Sequence, residues 1–192
     1  MKKNNLKYSQ QGALMFVTLI ILLIVSVLGI STMDTTGLEM KMSSNSRDQQ
    51  QAFEAAEYAL SWAENDIQTN SYSGDQLSSV NCGTTCFDPT CSNGYCFDGS
   101  GELDFNTCIL NTPTTEPYES AALWADGSGL YRTVTVMGVT VKYITEFRCY
   151  TALDPELPID VANNTKVFRI TAFATGSGGK SRAMLRSTMK EI

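Results

Sequence analysis

The residues of this chain best able to form covalent or metal bonds are six cysteines: Cys82, Cys86, Cys91, Cys96, Cys108 and Cys149. Four of them fall in NCGTTCFDPTCSNGYC, separated by three, four and four residues. Such a set can close disulfides or hold zinc. Zinc sites draw on His as readily as Cys, and this chain has no histidine. An even set of thiols, all beyond one long apolar segment, reads as a disulfide framework made in an oxidising compartment. Spacing does not choose the pairing. A bridge from the four-cysteine stretch to Cys149 would clamp that loop to a strand. No metal is expected.

The missing histidine also removes the commonest general base. No nucleophile elbow, phosphate-binding loop or dinucleotide fingerprint is present. No residue is therefore assigned as catalytic, no cofactor is expected, and the chain is not read as an enzyme. In FDGSGELDF, Asp98, Ser100, Glu102 and Asp104 alternate as in a calcium loop. Leu103 stands where such a loop needs Gly, however, and Ile109 where it needs an acid, so a turn between short strands fits better. The formal net charge is −6, while the first twelve residues hold Lys2, Lys3 and Lys7 and no acid. The remainder is thus strongly acidic, a poor partner for phosphate backbones, and no nucleic-acid binding is expected.

These residues hang on a chain of plain organisation. Residues 1–12 form a short basic leader. Residues 13–33, ALMFVTLIILLIVSVLGISTM, contain thirteen Leu, Ile, Val or Phe and no charge. Their insertion into a bilayer is worth roughly 4–8 kcal/mol. The hydroxyls of Thr18, Ser26, Ser31 and Thr32 offset only part of that, since helix hydroxyls can bond back to carbonyls. Lysines on the near side and Asp34 and Glu39 on the far side place the N-terminus in the cytoplasm and the remainder outside. The apolar run is too long for the core of a cleavable signal peptide, and no small-x-small site follows it.

Residues 34–67 continue as an amphipathic helix with Leu38, Met42, Phe53, Ala56, Leu60, Ala63 and Ile67 at steps of three and four, interrupted by the polar SSNSRDQQQ. That polar stretch reads as an exposed neck, and Glu39 and Glu57 as solvated. Residues 68–129, rich in Ser, Thr, Asn and Gly, read as the cysteine-rich loop region. Residues 130–192 read as a sheet of about four antiparallel strands. One strand places Val139, Val141, Tyr143, Phe147 and Cys149 on a face opposite Lys142, Glu146 and Arg148. Later runs align Phe168, Ile170, Ala172 and Ala174, then Ala183, Leu185 and Met189. The fold class is α+β, a long helix packed on an antiparallel sheet with a disulfide-stapled loop.

The leader KKNNLKYSQQG, ending in Gly12 directly before Ala13, resembles a type III prepilin signal. The resemblance implies cleavage between Gly12 and Ala13 on the cytoplasmic side by a prepilin peptidase, with N-methylation of the new terminus, Ala13. The fifth residue of the product is Val17, where major pilins carry glutamate. The block QQGALMFVTLIILLIVSVLG and TGLEMKMSSNSRDQQQAFEAAEYAL closely resembles the N-terminal region of PilX-type minor pilins of type IV pili. It is matched at Gly12, Gly29, Met33, Leu38-Glu39, Met42, Asn45, Arg47-Asp48, Ala52-Phe53 and Ala55-Ala56-Glu57. YITEF and FRITAFATGSGGKSRAMLRST resemble later parts of the same family.

The resemblance implies the type IV pilin fold and a minor pilin that primes pilus assembly at or near the tip, supporting adhesion and twitching motility. Implied partners are other minor pilins (PilV, PilW and FimU-like), a PilY-type tip adhesin, the major pilin and the inner-membrane assembly platform. The implied location is the bacterial inner membrane, single-pass with the domain periplasmic, and the pilus tip after assembly. Two further readings share parts of this pattern. One is a type II secretion minor pseudopilin, for which the chain lacks room for the large inserted domain of the tip class. The other is a membrane-tethered periplasmic module that never polymerises.

Overall fold

The computed structural model describes residues 11–77, 83, 85–97, 116–154, 156 and 164–191, and of Gln11 and residues 31–35 the backbone only. Residues 1–10 of the leader, Cys82, Cys108 and the stretch Asp98–Asp104 lie outside the described residues. Two compact units are present, Met1–Ser46 and Arg47–Ile192.

Helix α1 spans Gln11–Asn70 and runs through both units. In the first unit its described large apolar side chains are all exposed, from Leu14 at 73% to Leu38 and Met42 at 62% and 72%. In the second unit it buries one face. The buried residues are Ala52, Ala55, Ala56, Ala59, Ala63 and Ile67, spaced by helical turns. The expected stripe is therefore corrected: Ala56, Ala63 and Ile67 belong to it, whereas Phe53 is 45% exposed and Leu60 only partly buried. Alanine rather than the larger side chains defines the contact face, because small residues let a helix lie close to a sheet. Of the expected neck, Ser43–Arg47 are exposed and contacts begin at Asp48.

After α1 come a one-turn helix α2 (Gly74–Leu77) and strands β1 (Tyr95–Phe97), β2 (Arg132–Val136), β3 (Val139–Ala152), β4 (Asn164–Thr175) and β5 (Arg182–Lys190). The sheet order is β1-β3-β4-β5, with β2 also pairing β3. β2 pairs antiparallel with Val139–Tyr143 of β3, and β1 pairs parallel with Thr145–Phe147 further along the same edge. The sheet is thus five-stranded and mixed where four antiparallel strands were expected. The extra strand comes from the region read as loop. Its apolar run, Tyr95–Phe97, is too short to show a period. It is held by the Cys91–Cys96 disulfide and by the Asp88 carboxylate, which accepts the backbone N–H of Thr90 and Ser92.

Phe168, Ile170, Ala172 and Ala174 of β4 and Val139, Val141, Tyr143 and Phe147 of β3 meet the alanine face of α1 in one cluster. Beyond Phe147 the β3–β4 register shifts, with Phe147 opposite Phe168 and Cys149 opposite Val167. A bulge inverts the alternation that follows it. Tyr150 therefore joins the cluster, its ring 5.2 Å from that of Phe147, in place of the expected Cys149. The opposite face of β3 was expected to be solvated. Residues 116–131 cover it instead, packing Leu123 onto Ile144 with Tyr118, Trp124, Leu130 and Tyr131 around them.

Because Ala56 is fully buried in the helix–sheet contact, Ala56→Leu is expected to lower stability by about 1–3 kcal/mol through overpacking. Phe53→Leu, on the exposed side, should stay within about 0.5 kcal/mol. Denaturant unfolding of both variants in detergent checks the contrast.

Candidate functional site

The first candidate surface is the apolar N-terminal part of α1. Gly12–Ile30 has mean hydropathy 3.0 with none of its residues buried, long and apolar enough to cross a membrane. Its polar side chains turn inward: Thr18 Oγ1 donates to the Met15 carbonyl at 2.9 Å and Ser26 Oγ to that of Leu22 at 2.8 Å. This satisfies hydroxyls that would otherwise face hydrocarbon. Gly12 has no neighbouring atom where a Cβ would stand, and Val17 is 53% exposed. What such a helix can do is pack laterally, first against lipid and then against other apolar helices.

In the second unit, three clusters of charge fix the architecture. The Asp48 carboxylate accepts Gly178 N–H at 2.6 Å and Ser181 N–H at 3.0 Å, while Ser177 Oγ donates to Gln51 at 2.7 Å. The turn between β4 and β5 thereby wraps one side chain of α1. A Cβ on Gly176 would lie 2.5 Å from the Asp48 carbonyl oxygen, so glycine is required there. The Gly178 and Ser181 N–H groups hold the Asp48 carboxyl below its ordinary value.

Further along α1, Asp66 receives Arg132 Nη1 at 2.5 Å and the Tyr72 hydroxyl at 3.0 Å. The Arg132 guanidinium lies 5.0 Å over the Tyr95 ring and 5.3 Å over Tyr143. This ties α1 to β2 and β1. The third cluster sits under residues 116–131. Arg169 and Glu146, partners in the β3–β4 register, form a two-toothed pair at 2.8 and 2.6 Å, and Glu116 closes on Arg169 from above. Arg148 lies 3.6 Å from Glu146 and 3.7 Å from Glu116. Glu146, expected to be solvated opposite the core face, is fully buried. A buried carboxylate persists only with such partners. Burial alone would lower Arg169, but Glu146 and Glu116 raise it above its usual value.

Beside this cluster an open groove of about 1000 Å³ runs over the sheet face away from α1, lined among others by Tyr118, Trp124, Tyr131, Lys142, Phe173 and Arg182. Lys142 is held by Asp126 and by the Trp124 carbonyl, at 2.5 and 2.6 Å.

Of the cysteines, Cys91 and Cys96 are bonded to each other, and Cys86 and Cys149 are also disulfide-bonded. Every cysteine other than Cys149 lies in residues 82–108, so its bond ties β3 to that region. The loop Asp98–Asp104 lies outside the described residues. Among the described residues no cluster of His, Cys, Asp or Glu could hold a metal ion. Asp48, Asp66, Glu116, Glu146 and Arg169 were not singled out as interacting residues from sequence. Only strand register reveals the Glu146–Arg169 pair, and only the folded turn reveals the role of Asp48.

A long helix, apolar at its start and one-faced further on, backed by a sheet with a disulfide-stapled segment, defines the class: a type IV pilin fold, α+β. Residues 11–61 match the family described as PilX N-terminal. That match, confined to residues 11–61, supports a PilX-type pilin, a minor pilin related to type IV pili; the apolar start of α1 fits a membrane anchor in such a protein, and the family implies interaction with other pilus components in general. No curated protein and no solved structure matches it.

Two outcomes follow. The depressed Asp48 carboxyl stabilises the turn at neutral pH, and the effect is lost only as pH falls below the ordinary carboxylate value of 3.8 and through the lower folded value. The Gly178 and Ser181 amide shifts should titrate in that acid window, and Asp48→Asn should abolish the titration. Glu146→Ala strips Arg169 of its two-toothed partner in a buried setting and should destabilise the domain by about 3–5 kcal/mol in denaturant unfolding.

Proposed function

We propose that this chain is a minor pilin that primes type IV pilus assembly and remains at or near the tip. In this reading residues 1–12 are a leader removed between Gly12 and Ala13 by a prepilin peptidase, and Ala13 is methylated. The mature helix begins in the inner membrane with its domain in the periplasm, and is drawn out by the assembly platform to pack against other pilin helices. Its partners are minor pilins of the PilV, PilW and FimU kind, the major pilin, and a PilY-type adhesin, through which it supports adhesion and twitching.

The observation that supports this reading is an exposed apolar helix, similar to the PilX N-terminal family, with Val17 at the fifth position after Gly12. A carboxylate at that position would recruit the free amine of a preceding subunit during elongation. A subunit that starts a filament has no preceding subunit to recruit, so an aliphatic side chain serves, and it lowers the cost of residence in the bilayer.

The test has two arms. Co-expressed with a prepilin peptidase, the native chain should lose its leader, and Gly12→Glu should retain it; identical N-termini in the two would refute the cleavage. Deletion of the gene should sharply reduce surface pili and twitching while leaving protein secretion intact. Loss of secretion with normal pili would assign the chain to a type II secretion system.

A further inference from the structure

The cations of the sheet divide into two groups. Arg132, Lys142, Arg148, Arg169 and Lys166 each face a carboxylate within 4 Å. Arg182, Arg186 and Lys190 make no ion pair among the described residues, and all three stand on the outward face of β5. Arg186 lies 4.1 Å over the Tyr118 ring, near enough for its charge to reach Glu116, whose carboxylate is already taken by Arg169. In a chain of net charge −6, the unmatched positive charge of the sheet is thus gathered on one strand.

That strand is also an edge. β5 pairs with β4 on one side and is last in the sheet order. Among the described residues no backbone hydrogen bond reaches its other side. It is nine residues long, about 30 Å of unpaired peptide groups. Its inward row, Ala183, Leu185 and Met189, packs on the core but is only partly buried. Among the described residues both the ladder and the core therefore stop short at β5.

We infer that β5 is a docking edge that takes up an extended acidic segment of another protein chain as an added strand, with carboxylates opposite Arg182, Arg186 and Lys190 and apolar residues continuing the row of Leu185 and Met189. The ladder specifies the kind of partner. Free N–H and C=O groups along a strand are satisfied by another backbone, which a nucleic acid does not offer. Charge specifies the sequence. Like charges directly opposite in a ladder destabilise it, and opposite charges support it. Arg182, Arg186 and Lys190 are symmetric about Arg186, so antiparallel pairing of two copies of β5 in the register centred on Arg186 would set every cation against a cation. The same side chains that block self-association select an acidic partner. The groove continues the surface inward, since Arg182 and Met184 form part of its lining. The inference stands apart from the tip position proposed above.

Full-length protein in detergent would be titrated with a nine-residue peptide alternating Glu with Val, with its Lys counterpart, and with single- and double-stranded oligonucleotides. Binding would be read by fluorescence anisotropy and located by amide hydrogen exchange. The Glu peptide should bind at least about ten-fold tighter than the Lys peptide, lose affinity as salt rises, and protect β5 amides. The combined R182E, R186E and K190E substitutions, all at exposed positions, should invert the preference. Equal binding of the two peptides, protection that maps elsewhere, or oligonucleotide binding without strand protection by the Glu peptide would each overturn the proposal. The salt dependence and exchange map of the unmodified chain decide the matter even if the substituted chain misfolds.

Discussion

The structure of the second unit depends on how near α1 can come to the sheet. Asp48 binds the turn that follows β4 while Tyr72 packs on Phe168 near its start, with ring centroids 6.2 Å apart, so the helix runs antiparallel to β4. At the Asp48 end the facing side chains are small: Ala52, Ala55, Ala56 and Ala59 from the helix, and Ala172 and Ala174 from the strand. At the other end Tyr72, Phe87, Tyr95, Phe147 and Phe168 fill the space with rings mostly 5.0–6.2 Å apart. Small residues at one end and aromatic ones at the other make a wedge. Interiors are close-packed, so each end fixes the other: enlarging an alanine would lift the helix off the rings.

Everything else in the unit can be read as holding that wedge in register. Asp66 and Arg132 bind the helix to β2 near the aromatic end. Asp48 pins it at the alanine end. Glu146 and Arg169 lock β3 to β4 from the far face, where residues 116–131 exclude the water that would weaken the pair. Two-toothed guanidinium–carboxylate geometry makes this lock sensitive to register, since a slip of one residue would send the two side chains to opposite faces.

The helix, its apolar start and the three long strands were legible because their periods are long and regular. The N-terminal resemblance was legible for the same reason, since it rests on order and spacing over some fifty residues. Other features were hidden for separate physical reasons. β1 is three residues long and owes its place to a disulfide and an Asp88 cap rather than to its own pattern. The bulge after Phe147 exchanged Cys149 for Tyr150, and strict alternation cannot foresee an inserted residue. Phe53 outranks Ala52 in hydrophobicity, yet Ala52 is buried, because hydrophobicity orders residues by transfer and helix–sheet contact orders them by fit. Glu146 looked solvated because nothing in its strand signals that a segment more than fifteen residues earlier will fold over it.

The polar gap in α1 takes on a different sense in this light. In SSNSRDQQQ the chain gives up apolar side chains between a stretch that is apolar all round and one that is apolar on a single face. An apolar side chain at position 48 could have packed on the β4–β5 turn, but the turn there is glycine and serine, with backbone N–H groups and little hydrophobic surface to bury. Those N–H groups need acceptors, and a short carboxylate supplies two oxygens in the required place. The boundary of the compact unit falls beside Asp48, where the side chain of α1 binds the turn between β4 and β5. The interaction that opens the unit is a hydrogen-bonded one, and the hydrophobic contact begins one turn later, at Ala52.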